Sequence, residues 1–423
     1  MRTKNFIHAS DKLDNIILWI ALLQVMIFRY LSLTRFINII IMFLILISFI
    51  INVKSLRNII SIILISIYFF INYKILGGSY SIALYNFNQI IVPLLIIIYL
   101  LDLAQSKKRF LHDFLMGKIV LINMYFIINL PFIFLQLSGE YWLTGIKKND
   151  NTLAVDLISG LYGNNGIPMM TLFTCFIIFL NYHYCTCHSY QNEKTLLSIF
   201  NVFIVVFFSI LSLFNDNKGF YLIFIIYLLV ALFVNYVNSN QNVSFKALKI
   251  SLKIIGAVIL LCPFVYLIYR YTPLYNVINQ IVHEFLLGIY YAGSAHGSSE
   301  RIGMITYALS NDSNRLMGYG IGNARWTDPG TFGFEHFGQS DFGVFLCLGG
   351  IFLIAALFII ITSLLYRLFF SYYTIIPLIL LFIVLSIYTQ IFTVTSLTVS
   401  VSLFCVLCSF SCKKTINLNK GLL

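Results

Sequence analysis

Long apolar stretches, separated by short polar ones, run along almost the whole chain. A helix needs about 20 apolar residues to cross the hydrocarbon of a membrane, where it satisfies its own backbone. Twelve stretches meet this requirement, with approximate limits of 13–28, 36–53, 58–76, 84–103, 118–137, 165–184, 196–213, 219–237, 250–269, 341–362, 371–388 and 391–411. The pattern predicts an all-α, polytopic integral membrane protein with about 12 transmembrane helices.

Composition agrees with this class, because 60% of the residues are hydrophobic and 10% are charged. The basic residues predict the orientation, since cytoplasmic loops carry an excess of lysine and arginine. With the N-terminus inside, 17 of the 27 basic residues and five of the 15 acidic residues lie on the inner side, and this excess equals the whole net charge of +12. Both termini are then cytoplasmic. The charges are scattered over short loops, so we expect membrane lipid around the protein and no nucleic-acid partner.

The predicted organisation has three parts: residues 1–269 with transmembrane helices 1–9, residues 270–340 as a large external loop, and residues 341–423 with helices 10–12 and a cytoplasmic tail. The loop is the longest polar interval of the chain. It contains Arg301, Arg315, Arg325 and His336. We therefore expect the functional site in this loop.

Within the loop, Ser298 and Ser299 predict the start of a helix over about 300–309, with Arg301 in its first turn. A cation is unfavourable beside the positive end of a helix unless an anion binds there. Arg301 is therefore a candidate anion ligand. The alternative is an ordinary ion pair with a nearby carboxylate, such as Glu300 or Asp312.

Three glycines follow at alternate positions, Gly318, Gly320 and Gly322. The segment has neither a preceding strand nor the lysine of a phosphate-binding loop, so it predicts a tight turn with close backbone approach and no nucleotide site. Trp326, a few residues later, suits an anchor at the membrane interface or a platform on which a sugar stacks.

His336 lies one or two turns before the tenth predicted membrane helix, between Glu335 and Asp341. An imidazole can accept a proton from a sugar hydroxyl near neutral pH, and the two carboxylates are further candidates for this role. A surface histidine without a function is the alternative.

The predicted spans carry no Lys, Arg, Asp or Glu near their centres, which argues against an ion-coupled transporter. Their polar side chains predict interhelical hydrogen bonds. These side chains include Gln24, Asn123, Asn129, Gln136, Asn201 and Gln390. None of the eight cysteines lies in a large external loop, so we expect no extracellular disulfide.

The order of Glu300-Arg301, Arg315, Gly318-Tyr-Gly-Ile-Gly322, His336 and Asp341-Phe-Gly343 resembles the O-antigen polymerase (Wzy-type) and O-antigen ligase superfamily of bacterial surface polysaccharide synthesis. The topology of that superfamily covers essentially the whole chain, whereas the motifs cover about 300–343. The resemblance implies catalytic roles for Arg301 and His336. It maps a further basic residue, more loosely, onto Lys218, which replaces the usual arginine.

The resemblance implies a glycosyltransferase in the bacterial cytoplasmic (inner) membrane. The sequence has no external D-x-D or E-x-D pair of carboxylates that could hold a divalent ion, so we expect a metal-independent enzyme without a cofactor. Its substrate is an oligosaccharide on polyprenyl pyrophosphate, and a chain-length regulator is a possible partner protein. The predicted substrate-binding residues are Lys218, Arg315, Arg325, Glu335, Asp341, Gly318, Gly320 and Gly322. Phe337 and Gly338 after His336 replace the residues common among ligases and favour a polymerase. The alternatives are a ligase that transfers the glycan to lipid A core and, from another class, a flippase for lipid-linked oligosaccharide.

Overall fold

The computed structural model describes residues 2–28, 31, 33–51, 56–140, 158–163, 166–187, 191–214, 217–239, 297–310, 314–326, 332–334, 337, 339–369 and 371–410. Within these residues every regular element is helical, which confirms the all-α class. The α-helices are α1 (Arg2–Leu23), α2 (Thr34–Ile51), α3 (Leu56–Leu76), α4 (Tyr80–Ser106), α5 (Lys108–Gly117), α6 (Ile119–Leu137), α7 (Ile167–Cys187), α8 (Gln191–Phe214), α9 (Lys218–Ser239), α10 (Gly297–Ser310), α11 (Asp341–Phe369), α12 (Tyr372–Tyr388) and α13 (Thr395–Ser409).

Six helical stretches among the described residues are long and apolar enough to cross a membrane. They are Asn58–Leu76, Tyr80–Ser106, Ile119–Leu137, Ile167–Thr186, Lys194–Ser212 and Asp341–Phe369. Shorter apolar helices cover Phe36–Ile51, Gly219–Val234, Tyr372–Tyr388 and Thr395–Ser409. The predicted span 13–28 is helical but belongs to neither group, and 250–269 lies outside the described residues. The number of about 12 spans therefore stays a prediction.

The helices form two compact units, each assembled from separate parts of the chain. Unit 1 comprises Met1–Leu56, Val92–Leu228 and Thr395–Leu423, and unit 2 comprises Arg57–Ile91 and Leu229–Val394. Helices α4 and α9 contribute to both units. In unit 1, α7 packs against α8 and α13, and every residue of α13 is buried.

Buried amides join the helices of unit 1. Asn123 on α6 and Asn181 on α7 exchange two hydrogen bonds of 2.9 Å, and Asn181 also donates to Asn201 on α8 at 3.4 Å. Gln24 donates to Asn38 on α2 at 2.9 Å and to Thr395 on α13 at 2.8 Å. These contacts confirm the predicted interhelical role of Gln24, Asn123 and Asn201.

The same prediction is wrong for Asn129 and Gln136, whose partners are irregular backbone. Gln136 Oε1 accepts from the N–H groups of Ser159 and Gly160, at 3.0 and 2.6 Å, and Asn129 Oδ1 accepts from that of Leu161 at 2.6 Å. The short 3-10 turn at Gly160–Tyr162 leaves these N–H groups without helical partners, so nearby amides satisfy them.

An ionic network lies at one end of unit 1. The fully buried Asp14 accepts hydrogen bonds from Ser48 Oγ at 3.0 Å, Tyr99 OH at 2.9 Å and Lys107 Nζ at 2.6 Å. Lys107 also contacts Asp11 at 2.6 Å. A buried carboxylate needs this degree of pairing, and its lone pairs are used by groups of the protein itself. The network is structural.

In unit 2, α3 runs antiparallel to α11. Tyr68 OH on α3 donates to the carbonyl of Gly349 on α11, whereas at the other end Arg367 Nη1 donates to Asn58 Oδ1 at 3.0 Å. This direction agrees with the predicted topology. Helix α10 packs against the start of α11, where the side chain of Met304 fills the space beside Gly343.

Candidate functional site

Residues 314–326, which we call the glycine loop, are joined to a break in helix α11. Gly350 has φ +66°, so the helical hydrogen-bond ladder is interrupted there. The N–H groups of Tyr319 and Gly320 bind the carbonyls of Cys347 and Leu348, at 2.7 and 3.2 Å.

On the other side of the break, the N–H groups of Ile351 and Phe352 donate to the carbonyls of Arg315 and Leu316, at 3.1 and 3.2 Å. The loop thus replaces the helical bonds that the break removes. Irregular backbone within a membrane is tolerated where other groups of the protein form its hydrogen bonds.

Two buried asparagines hold the glycine loop from the opposite side. Asn72 on α3 donates to the carbonyl of Met317 at 2.7 Å and accepts from the N–H of Ile321 at 3.0 Å. Asn86 on α4 donates to the carbonyls of Ile321 and Ala324, each at 2.7 Å, and accepts from the N–H of Trp326 at 3.1 Å. Both asparagines are 0% exposed. Five side-chain hydrogen bonds therefore fix the path of this loop.

The glycines permit the close approach that the sequence predicts. A Cβ on Gly318, which has φ +72°, would lie 2.6 Å from the carbonyl carbon of Leu348. A Cβ on Gly322 would lie 2.8 Å from the carbonyl oxygen of Gly77. The tight turn is confirmed. Gly318, Gly320 and Gly322 bring the loop backbone against α11 and the turn after α3.

Arg301 lies on α10, with its guanidinium aimed at the segment that precedes α11. Its Nη2 donates to Gln339 Oε1 at 3.0 Å, and the side chain is half-buried. The predicted helix over 300–309 is present but begins at Gly297. Arg301 is therefore just past the first turn, and the prediction that Ser298 and Ser299 precede the helix is wrong. Serine and glycine are tolerated in a first turn, which explains the earlier start.

This earlier start weakens the argument from the helix dipole, whose effect falls off within the first turn. The described contact that orients Arg301 is the hydrogen bond to Gln339, whose side-chain amide is neutral. The side chain of Glu300 and the whole of Asp312 lie outside the described residues.

The other two arginines of the predicted site are exposed. Arg315 Nε donates to the carbonyl of Leu309 at 2.8 Å, so it caps the C-terminal end of α10. Arg325 lies over the ring of Tyr85, 5.6 Å from its centroid. Both arginines belong to the glycine loop, and both are oriented by neutral groups in these contacts; their predicted contact with substrate stays a prediction.

Asp341 differs from the prediction, which gives it a substrate contact. Its buried carboxylate accepts from the N–H of Phe392 and the hydroxyl of Thr393, both at 2.5 Å. These bonds hold the turn between α12 and α13, because backbone N–H groups in an irregular turn need partners. Asp341 therefore has a structural role. Glu335 and His336 lie outside the described residues.

Lys218 is the first residue of α9 and belongs to unit 1, whereas the glycine loop and Arg301 belong to unit 2. Its side chain lies outside the described part of the chain. Trp326 is 7% exposed, so its ring is unavailable as a surface platform for a sugar.

An aromatic cluster beside the glycine loop was not predicted. The rings of Tyr307 and Tyr319 are stacked, with centroids 5.8 Å apart and an interplanar angle of 15°. A hydrogen bond to Tyr319, and then partial burial, raise the pKa of Tyr307 above its ordinary value. The sequence signal for this pair was weak, since the two tyrosines belong to different elements and 27 of this chain's residues are tyrosines.

Comparisons with known proteins identify no relative of this chain. No family model, no curated protein and no solved structure matches it. The resemblance of Arg301, the glycines and His336 to a polysaccharide-polymerising superfamily therefore stays a hypothesis, and the geometry of unit 2 is what can support it.

Proposed function

We propose that this protein polymerises lipid-linked oligosaccharide repeat units into a surface polysaccharide, such as O-antigen or capsule, at the outer face of the cytoplasmic membrane. The observation that carries the proposal is the hydrogen bond of 3.0 Å between Arg301 and Gln339. Gln339 is three residues after His336 in the sequence. The bond joins the arginine to the segment that carries the histidine, two residue types that this reaction needs.

The reaction is a glycosyl transfer between two membrane-anchored substrates. A hydroxyl of the acceptor sugar forms a new bond to the anomeric carbon of the donor, and the bond from that carbon to the pyrophosphate breaks. The pyrophosphate leaves with the electron pair as an anion. In the proposed mechanism His336 accepts the proton of the hydroxyl, with Glu335 as a further candidate base.

The role of Arg301 is to stabilise the charge that develops on the leaving pyrophosphate. A guanidinium offers two parallel N–H groups to phosphate oxygens, and an orientation fixed before the reaction increases its effect. The bond to Gln339 supplies such an orientation. Arg315 and Arg325 are further candidate contacts to the phosphates or to an acidic sugar.

Arg301→Lys tests this role, because a lysine keeps the charge and loses the planar fork. We expect at least a tenfold loss of polymer formation while the protein still accumulates in the membrane. Arg109→Lys is the matched control: Arg109 is 95% exposed, and its guanidinium lies 3.8 Å from Asp113 at the surface of unit 1. Near wild-type polymer with Arg301→Lys, measured as polysaccharide per unit of protein, would remove Arg301 from the mechanism.

We also propose that the reaction needs no divalent metal, since arginines supply the positive charge. Chelation with EDTA should then leave the activity of the purified protein unchanged. Loss of activity with EDTA and its recovery with magnesium or manganese would overturn this part of the proposal.

The size profile of surface polysaccharide from cells that lack the gene tests the function itself. We expect a single repeat unit on the surface lipid, a loss of the longer ladder, and its recovery with the wild-type gene. Long lipid-linked polymer without transfer to the surface lipid would identify a ligase instead. Repeat units trapped on the cytoplasmic side would identify a flippase, and an unaltered ladder would reject all three functions.

A further inference from the structure

We propose that the stacked pair Tyr307–Tyr319, together with Phe332, Phe334 and Phe337, forms a glycan-binding surface that holds pyranose rings of the growing chain. We call these five side chains the aromatic surface. The inference deepens the proposed polymerase function and rests on it for the identity of the glycan.

The five rings form one continuous cluster. The ring of Tyr307 meets that of Phe334 at 5.6 Å, with the planes at 78°, and the ring of Tyr319 meets that of Phe332 at 5.1 Å. Phe332 in turn meets Phe337 at 5.2 Å. Tyr307 is 41% exposed, whereas Phe337 is 5% exposed. The cluster is therefore anchored inside unit 2 and open at Tyr307.

The backbone of Tyr307 and of Tyr319 is held by neighbouring elements. Tyr307 is on α10, and the N–H of Tyr319 is bonded to the carbonyl of Cys347 at the break in α11. The N–H of Phe337 donates to the carbonyl of Phe334 at 3.3 Å. Rings that are already ordered lose little conformational freedom when a ligand binds, which favours affinity.

The chemistry of an exposed, rigid tyrosine ring fits a sugar. One face of a pyranose ring carries axial C–H bonds whose hydrogens are slightly positive, and the face of an aromatic ring is negative. The tyrosine hydroxyls add polar groups at the rim, where sugar hydroxyls lie. Tyrosine thus combines an apolar face with a hydrogen-bonding edge.

Positive charge lies at two points close to this surface in the sequence and the structure. Arg315 binds the carbonyl of Leu309, two residues after Tyr307, and Arg301 binds the side chain of Gln339, two residues after Phe337. A glycan linked to pyrophosphate offers both an apolar sugar face and an anion. The aromatic surface and its neighbouring guanidinium groups match these two features, which favours this occupant over a purely apolar one.

A binding surface separate from the reacting groups should affect polymer length more than the first transfer. The longer the nascent chain remains bound between additions, the more units it receives. Loss of the surface should therefore shorten the polymer, whereas loss of Arg301 should prevent it.

The test compares Tyr307→Leu with Tyr307→Phe, which keeps the ring. The matched control is Tyr372→Leu, because Tyr366 and Tyr372 form another exposed tyrosine pair of unit 2, with ring centroids 5.4 Å apart. In complemented cells we expect Tyr307→Leu to shift the polysaccharide to a modal length about half that of wild type. Tyr372→Leu should keep the wild-type length, and Tyr307→Phe, which keeps the ring face but not the hydroxyl, should give a length between those of wild type and Tyr307→Leu. An unchanged length with Tyr307→Leu would overturn the inference.

A binding measurement separates this inference from the polymerase function. The probe is the repeat-unit oligosaccharide released by mild acid from the cells' own polysaccharide, titrated into purified protein in lipid nanodiscs. We expect roughly threefold to tenfold weaker binding for Tyr307→Leu, a smaller loss for Tyr307→Phe, which keeps the ring face but not the hydroxyl, and wild-type binding for Tyr372→Leu. Loss of binding in Tyr307→Leu beside an unaltered ladder in the gene knockout would uphold the surface and reject the polymerase. Equal binding of the oligosaccharide by wild type and Tyr307→Leu would overturn the inference. If Tyr307→Leu also changed the oligomeric state, the surface would instead be a contact with a second copy of the chain.

Discussion

Asparagines that join helices in unit 1 differ from those that bind a loop in unit 2, and Asn129 of unit 1 binds irregular backbone as the asparagines of unit 2 do. In unit 1, Asn123, Asn181 and Asn201 bond to one another and join three helices. In unit 2, Asn72 and Asn86 lie on equally apolar helices, yet they bind the backbone of the glycine loop. The residue type is the same and the partner is different. Asn123, Asn181, Asn72 and Asn86 are buried, whereas Asn201 is half-buried.

This difference shows how a buried amide is used. An amide buried among apolar side chains must find hydrogen-bond partners, and a facing helix or a stretch of irregular backbone can supply them. Where the partner is another helix, the bonds hold a bundle together. Where the partner is a loop, they fix backbone that the ladder of a helix does not hold, and such positions are where candidate functional groups lie in unit 2.

Asn86→Leu should have the largest effect, because it removes three bonds to the glycine loop at once. The buried carbonyls of Ile321 and Ala324 and the N–H of Trp326 would lose this partner, at about 1–3 kcal/mol for each group. We expect loss of polymer formation and exposure of the loop. The measurement is labelling of Ile321→Cys, at a site 2% exposed in the wild-type protein, with a water-soluble maleimide.

The control for this change is Asn88→Leu, at an exposed position on the same helix. It should keep wild-type labelling and wild-type polymer. Equal labelling with and without the Asn86→Leu change would show that this asparagine does not hold the loop.

Gly350→Ala should have the next largest effect on unit 2. Gly350 has φ +66°, and an added Cβ would overlap the carbonyl of Leu316, so both the break in α11 and the attached loop must move. Gly77→Ala is the matched control, since Gly77 has φ +73° with open space around it. The Gly77→Ala protein should lose only about 1–2 kcal/mol of stability, because an alanine is strained in left-handed backbone. Thermal unfolding in detergent measures both, and a Gly77→Ala effect as large as that of Gly350→Ala would contradict the overlap.

Asn123→Leu should have a smaller effect, because it removes helix-to-helix bonds without touching the glycine loop. Asn181 would keep its bond to Asn201, and amide bonds between membrane helices contribute about 0.6–2 kcal/mol. We expect a modest fall in the unfolding temperature and full polymer formation. Loss of polymer without loss of protein would mean that the amides of unit 1 also serve the reaction.

The smallest effect is expected from pH acting on the ionic network of unit 1. Burial lowers the pKa of Lys107, but its contacts with Asp11 and Asp14 raise it more, so the pKa lies above its ordinary value. A base whose pKa is raised by folding contributes stability that is complete below its unfolded pKa and is lost as pH rises through the folded pKa. Between about pH 6 and pH 9 this contribution should therefore be constant. Unfolding temperatures that fall across this range in wild type but not in Lys107→Met would contradict this assignment.

The sequence predicts much of the fold, because apolar length is a local signal. The spans predicted at 58–76, 118–137 and 341–362 correspond to the helical stretches Asn58–Leu76, Ile119–Leu137 and Asp341–Phe369, and the tight turn at Gly318 follows from the glycine spacing. The helix that carries Arg301 was also predicted, with a start three residues too late.

The partners of the buried amides could not be predicted in the same way. Asn86 and Ala324 are 238 positions apart in sequence, and nothing near either residue specifies the other. The break at Gly350 lies inside a continuous apolar stretch, where a glycine is compatible with an ordinary helix. The sequence predicts Asp341 as a substrate-binding carboxylate, whereas its bonds to Phe392 and Thr393 show that it holds the turn between α12 and α13. Single polar residues in apolar helices, such as Asn72, were the sequence feature from which contacts to the glycine loop could have been predicted.

The most direct test of the central claim is an assay with purified protein in liposomes, supplied with polyprenyl-pyrophosphate-linked repeat units from cells that lack the gene. We expect wild type to convert single units into a ladder of lipid-linked polymers and to release polyprenyl pyrophosphate, with at least a tenfold lower yield for Arg301→Lys and a wild-type yield for Arg109→Lys. Single units that remain unchanged with folded wild-type protein, or a ladder of equal yield with Arg301→Lys, would contradict the claim that Arg301 and the segment before α11 form a polymerase site.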